Sequence, residues 1–315
     1  LVCYGPKGGP FTPSSKTYTL TNAGGTSLDW TATGTQAWLD VTPGSGTLMG
    51  SASTTVDISI NANANTLPAG YYTDNVTFSN LTSGFDQVRS VDLFVGTTGK
   101  MYWVDSGTDK IQRSNLDGSN IEDLVTTGLS TPRGIAVDLF GDKMYWTDTG
   151  IDKIQRANLD GSNVEDLVAT GLSAPHGIAL DPVGGKMYWT DYSANRIQRA
   201  NLDGSNVEDL INTGLSDPYW IALDADSSKM YWTDFGTDKI QRANLDGSNV
   251  EDLVTTGLSN PSGIALDLLA GKMYWTDYDT DKIQRANLDG SNVEDLVATG
   301  LTLPFGLALE PTFGK

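Results

Sequence analysis

The chain has 315 residues, a net charge of -19, one cysteine and one histidine. Its length allows two domains or three small ones. The acidic balance excludes nucleic acid and anionic membrane surfaces as natural partners, because both need clustered Lys and Arg. The lone Cys3 excludes an internal disulfide and a thiolate metal cluster.

No apolar run approaches the roughly 20 residues of a membrane span. The first residue is Leu1, which reads as the start of a processed or excised chain. Residues 1–97 alternate strand-like stretches with turn clusters. Strands are predicted over Lys16–Leu20, Leu28–Ala32, Ala37–Val41, Thr54–Ile60, Tyr71–Phe78 and Gln87–Val95. Turns are predicted at Asn22-Ala-Gly-Gly, Pro43-Gly-Ser-Gly and Pro68-Ala-Gly. Short strands without helical period indicate a β-sandwich. The amino-terminal segment Leu1–Phe11 is rich in Gly and Pro. It is expected to fold against little locally and to be free for self-association.

This region resembles bacterial immunoglobulin-like domains of the BACON type. The resemblance rests on Pro13-Ser14-Ser15, on Trp38-Leu39 running to Gly46-Thr47-Leu48, and on Gly70-Tyr71 followed by Asn75-Val-Thr-Phe78. It implies a spacer in a secreted or surface protein. Trp30 and Trp38 are read as sandwich core, with a sugar-stacking platform as the other reading. Thr97-Thr98-Gly99 is a short joint. A joint this short implies a restricted angle between the domains.

Residues 98–315 repeat one phrase. Met101, Met144, Met187, Met230 and Met273 each open Met-Tyr-Trp-Thr-Asp, with Val104 in place of Thr in the first copy. Each copy continues through Lys-Ile-Gln-Arg and Asn-Leu-Asp-Gly-Ser-Asn to Gly-Leu-Ser-x-Pro, with small departures. Such a period means a solenoid, a propeller or an array. In the third copy, Gly177–Asp181, Lys186–Asp191, Arg196–Leu202 and Val207–Leu210 read as four antiparallel strands, hence one propeller blade. Met187 and Trp189 face one way and Tyr188 and Thr190 the other, so stacked blades must cover both faces.

The phrase is similar to the class B (YWTD) repeat of the low-density lipoprotein receptor family. The resemblance implies a β-propeller, and that family's rings close with six blades. It further implies that the Asp closing each phrase, here Asp105, Asp148, Asp191, Asp234 and Asp277, bonds to backbone around the ring and so has a structural role. The fold expected is therefore all-β: an immunoglobulin-like sandwich, 1–97, and a propeller, 98–315. The strand inventory of the chain itself balances at five blades, with six as the alternative. In the five-blade reading Phe305–Glu310 pairs beside Met101–Asp105 and latches the ring.

The copies disagree most at one end of the blades. The residue after the repeated Pro is Arg133, His176, Tyr219, Ser262 or Phe305, and Trp220 replaces a Gly. After the phrase Asp come Ser106, Thr149, Tyr192, Phe235 and Tyr278. Alternating loops gather these positions at one mouth of the central channel. Large aromatics with an Arg favour a binding surface, so Arg133, His176, Tyr219, Trp220, Phe305, Tyr192, Phe235 and Tyr278 are the candidate ligand-binding set.

No catalytic residue, metal site or cofactor is expected. His176 is alone, so neither a His-based triad nor a multi-histidine site can form in one chain. The reading is a non-catalytic extracellular or cell-surface scaffold, bacterial in source, whose propeller face recognises a protein or glycan. The alternatives are a self-assembling subunit of an extracellular polymer or surface layer, and a propeller enzyme such as a lyase or hydrolase.

Overall fold

A computed structural model describes residues 1–68, 70–96, 100–139 and 141–309. The chain is all-β and forms two compact units, divided at Lys100 and Met101. The joint Thr97-Thr98-Gly99 lies outside the described residues.

The first unit contains β1 (Val2–Pro6), β2 (Ser15–Thr21), β3 (Leu28–Thr33), β4 (Leu39–Thr42), β5 (Ser45–Leu48), β6 (Ser53–Ile60), β7 (Gly70–Asn80) and β8 (Phe85–Gly96). One sheet runs β1-β8-β7-β3-β5 and the other β2-β6-β4. Alternation sends Val56, Ile58, Val76, Val91 and Leu93 into a common core with Trp30 and Trp38. Both tryptophans are buried, so neither offers a face to a sugar. The amino-terminal segment is not free. β1 pairs in parallel with β8, and Cys3 and Phe11 are buried in the core. Backbone pairing overrides the Gly and Pro content that suggested a loose arm.

The second unit begins with a three-stranded blade, β9 (Lys100–Asp105), β10 (Lys110–Asn115) and β11 (Glu122–Val125). Blade two has four strands, β12 (Pro132–Asp138), β13 (Lys143–Asp148), β14 (Lys153–Asn158) and β15 (Glu165–Val168), paired in that order. Blades three, four and five repeat it over 175–211, 218–254 and 261–297.

Apolar clusters lie between blades, not inside them. Tyr188, Ile197 and Ile211 of blade three pack on Ile221, Met230, Trp232 and Ala243 of blade four. The outermost strand carries Glu and Asp in every blade, and the neighbouring strand neutralises both. Arg156 pairs with Glu165, and Lys153 with Asp166 at 2.6 Å.

The expected latch does not form. Among the described residues, 301–309 include no strand and β9 pairs only with β10; Glu310 lies outside them. The Phe305 carbonyl instead accepts from Gly263 N at 2.9 Å and from Thr276 Oγ1 at 2.7 Å. That station belongs to the inner strand of a following blade, which keeps the segment on blade five and away from β9.

Candidate functional site

The candidate site grows from the inner strands. In four copies the phrase Thr ties two blades together. Thr190 Oγ1 accepts from Gly177 N of its own blade and donates to the Tyr219 carbonyl of the next. Thr147, Thr233 and Thr276 do the same for the carbonyls of His176, Ser262 and Phe305. The backbone under the variable positions is thereby pinned. Val104 has no hydroxyl, so the Arg133 carbonyl does not receive this bond.

The loops above are held by two sets of side chains. The buried carboxylates Asp148, Asp191, Asp234 and Asp277 accept from Ser130 N, Ser173 N, Ser216 N and Ser259 N. These bonds close each blade's own entering loop. Burial pushes all four carboxyls above the usual range, against those backbone bonds. Among the described residues Asp105 binds no entering loop. It caps Gly107 N and Thr108 N, and its carboxyl is held low by the Thr108 hydroxyl.

The bonds that link loops around the ring come from a second set. Asp109, Asp152, Asn195, Asp238 and Asp281 accept from the backbone N–H of Thr131, Ala174, Asp217, Asn260 and Leu303 at 2.6–2.7 Å. All five of these acceptor residues sit at φ of 53–55°. The signal was present in the sequence: an Asp or Asn four residues past every phrase Asp, the residue types that tolerate left-handed backbone.

On this frame seven of the eight candidate residues share one mouth. Tyr219 is the hub. Its ring lies 4.7 Å from His176, 5.8 Å from Tyr192, 5.3 Å from Phe235 and 5.3 Å from Phe305. Tyr278 joins the set at 6.2 Å from Phe235 and 5.9 Å from Phe305. Burial pushes the Tyr219 hydroxyl up to about 12, so it stays protonated. His176 Nδ1–H donates to the Ala174 carbonyl at 3.0 Å. Burial first, and then the Arg133 charge, lowers its pKa to about 4. The imidazole is therefore neutral, and Arg133 is the cation of this mouth. Every other arginine of the propeller is in an ion pair; among the described residues Arg133 is in none, and its buried Nε has no acceptor.

Trp220 does not join the cluster. It packs in the junction of blades four and five with Tyr231, Ile264 and Trp275. Successive strand residues point to opposite sides, so Tyr219 on the channel mouth sends Trp220 into the blade interface. No group of three His, Cys, Asp or Glu side chains is placed to hold a metal ion among the described residues.

The model of the virginiamycin B lyase family matches residues 71–313. The chain belongs to the virginiamycin B lyase family. Within it, the propeller is of the YWTD-repeat type. A stretch of 43 residues is 51% identical to low-density lipoprotein receptor-related protein 4 of Homo sapiens, covering 14% of this chain. The Mus musculus protein matches equally. The chain spans about 2% of the length of these curated relatives. A solved nidogen/laminin complex contains a chain 26% identical, with a TM-score of 0.59, covering 75% of this chain and 97% of that one. A catalytically inactive histidine-to-alanine variant of virginiamycin B lyase from Staphylococcus aureus, with quinupristin, shares the fold. It has a TM-score of 0.56 and 16% identity, and covers 94% of each chain. Residues 12–86 match the viral BACON domain.

Proposed function

We propose that this chain is a non-catalytic binding scaffold, extracellular or at a bacterial cell surface, whose propeller mouth takes a protein partner. One observation carries the reading: a contiguous set of five aromatic side chains, with His176 and Arg133 beside them, gathers at one mouth, and among the described residues Arg133 is in no ion pair. The similar nidogen chain was solved in complex with laminin, which supports a protein partner over a glycan.

The family's name supports the rival enzymatic reading. Against it stands His176, the only imidazole. It is buried, its Nδ1 is committed to Ala174, and burial lowers its pKa to about 4. A general acid or base works best with a pKa near the working pH.

The test uses residues that other copies already carry at the same loop position. Tyr192→Ser, Phe235→Thr and Tyr278→Ser copy Ser106 and Thr149, so the fold should be kept. The triple variant and the wild type are screened on arrays of extracellular proteins and glycans. The expected result is a protein bound by the wild type and lost about thirtyfold or more in the variant, an effect of about 2 kcal/mol. A protein bound equally by both, or glycan binding alone, overturns the reading.

A further inference from the structure

The mouth has two unlike sides. After the phrase Asp, blades three, four and five carry Tyr192, Phe235 and Tyr278, where blades one and two carry Ser106 and Thr149. The three rings close on Tyr219 and Phe305. On the other side the loop residues are small, and β12 supplies Arg133. One side is therefore aromatic, and the other is polar and cationic.

Arg133 lies beside His176 and Tyr219, and its charge acts on both. Neither can answer it, because the imidazole is neutral and the phenol stays protonated. The carboxylates of the flanking loops are engaged by backbone. Asp109 holds Thr131 N, Asp148 holds Ser130 N and Asp152 holds Ala174 N, while Asp105 caps its own turn. The acid that ends an inner strand lies at the other end of its blade, where Asp138, Asp181, Asp224 and Asp267 hold the next turn.

Among the described residues no acceptor meets the buried Nε of Arg133. A buried donor without an acceptor is costly, and more so on a charged group. A ligand that brings the acceptor removes that cost. The planar fork of a guanidinium matches a carboxylate through two parallel bonds. A phosphate fits less well, because phosphate sites gather several arginines. The lysines at this end, such as Lys153 and Lys239, already pair with outer-strand carboxylates. The net charge of -19 also repels a dianion more than a single carboxylate.

We propose that the partner places the carboxylate of an Asp or Glu side chain on Arg133 and an adjoining apolar side chain on the rings of Tyr192, Phe235 and Tyr278. The proposal rests on the reading of this mouth as the site for a protein. It adds the chemistry by which that protein is chosen, a single negative charge on one side and an apolar contact on the other.

The experiment measures binding of the full chain to an array of amidated peptides. Each has a central Asp, Glu, Asn, Gln or phosphoserine, flanked by Phe, Leu or Ala. The wild type is expected to hold Asp or Glu beside Phe or Leu about tenfold more tightly than the Asn or Gln counterpart. Arg133→Ser copies Ser262 and should melt like the wild type by circular dichroism. It should bind acid and amide peptides equally while still preferring Phe or Leu to Ala. The triple variant Tyr192→Ser, Phe235→Thr and Tyr278→Ser should keep the acid preference and lose the apolar one. An acid preference that survives Arg133→Ser, equal binding of acid and amide by the wild type, or tighter binding of phosphoserine would each overturn the carboxylate assignment. A wild type that binds no peptide overturns it too. On the protein arrays, a protein lost by the triple variant but kept by Arg133→Ser sinks this proposal and leaves the mouth as a protein site.

Discussion

His176 shows how much a single position owes to its neighbours. Its ring sits between Tyr192 and Tyr219 and its folded pKa falls from 6.5 to about 4. The unfolded chain therefore binds the proton first. Stability is unaffected above pH 6.5 and is lost as pH falls from 6.5 toward 4, by up to about 3 kcal/mol. His176→Ser copies Ser262 at the matching position. Urea denaturation at pH 7 and pH 4.5 should show this slope in the wild type and not in the variant. Trp220 makes a second residue-scale case. Judged by the repeat alone, Trp220→Gly restores the consensus at no cost to the fold. Judged by its place among Tyr231, Ile264 and Trp275, it opens a gap, and should lower stability by about 2 kcal/mol. Denaturation midpoints decide; an unchanged midpoint would show that the tryptophan packs on nothing that matters.

At the scale of the element, the blade depends on close contacts between neighbours more than on its own strands. Thr190 serves two backbone groups in two blades. Thr190→Val leaves the Gly177 amide and the Tyr219 carbonyl without that hydroxyl and should cost about 1–3 kcal/mol. The natural Val104 marks the one place where this link is absent. Gly204 is the second such contact. Its φ is +83°, and an added Cβ would lie 2.4 Å from the Leu167 carbonyl oxygen. Gly204→Ala thus meets both a backbone penalty and a clash, and should cost about 2 kcal/mol in thermal or chemical unfolding. The Asp-Gly turn was legible as a turn from sequence. Its role as a blade-to-blade contact was not, because sequence spacing does not show what lies across the junction.

For the molecule as a whole, acid is the informative variable. Hydrogen bonds from Lys153 and Gln155 hold the Asp166 carboxyl below its usual range, and Lys239 does so for Asp252. The Ser162 and Ser205 hydroxyls act likewise on Asp160 and Asp203. A lowered folded pKa gives stability that is present above the ordinary carboxylate pKa and is lost as pH falls through the folded value. The buried Asp148, Asp191, Asp234 and Asp277 are shifted the other way, so protonation relieves their desolvation as pH falls. The lowered groups recur along the outer strands and turns, so the melting temperature should drop steeply below about pH 4. A melting temperature that holds or rises from pH 4 to pH 3 would show that the buried carboxylates dominate.

The sequence by itself determined the sandwich, the blades and the mouth. Alternation and turn residues mark strands locally, and a fixed repeat makes every blade copy the next, so loops at equivalent positions must gather at one end. β1 and β5 are not legible in the sequence, because Gly and Pro mask strands that only pairing reveals. Tertiary structure alone decided three matters. It sent Trp220 into a junction while Tyr219 stayed at the mouth, since adjacent strand residues face opposite ways. It gave the ring-linking bonds to Asp109, Asp152, Asn195, Asp238 and Asp281. It also fixed the last inner-strand segment to blade five instead of β9, because hydrogen bonds form where partners stand in space, and a strand inventory counts strands without placing them.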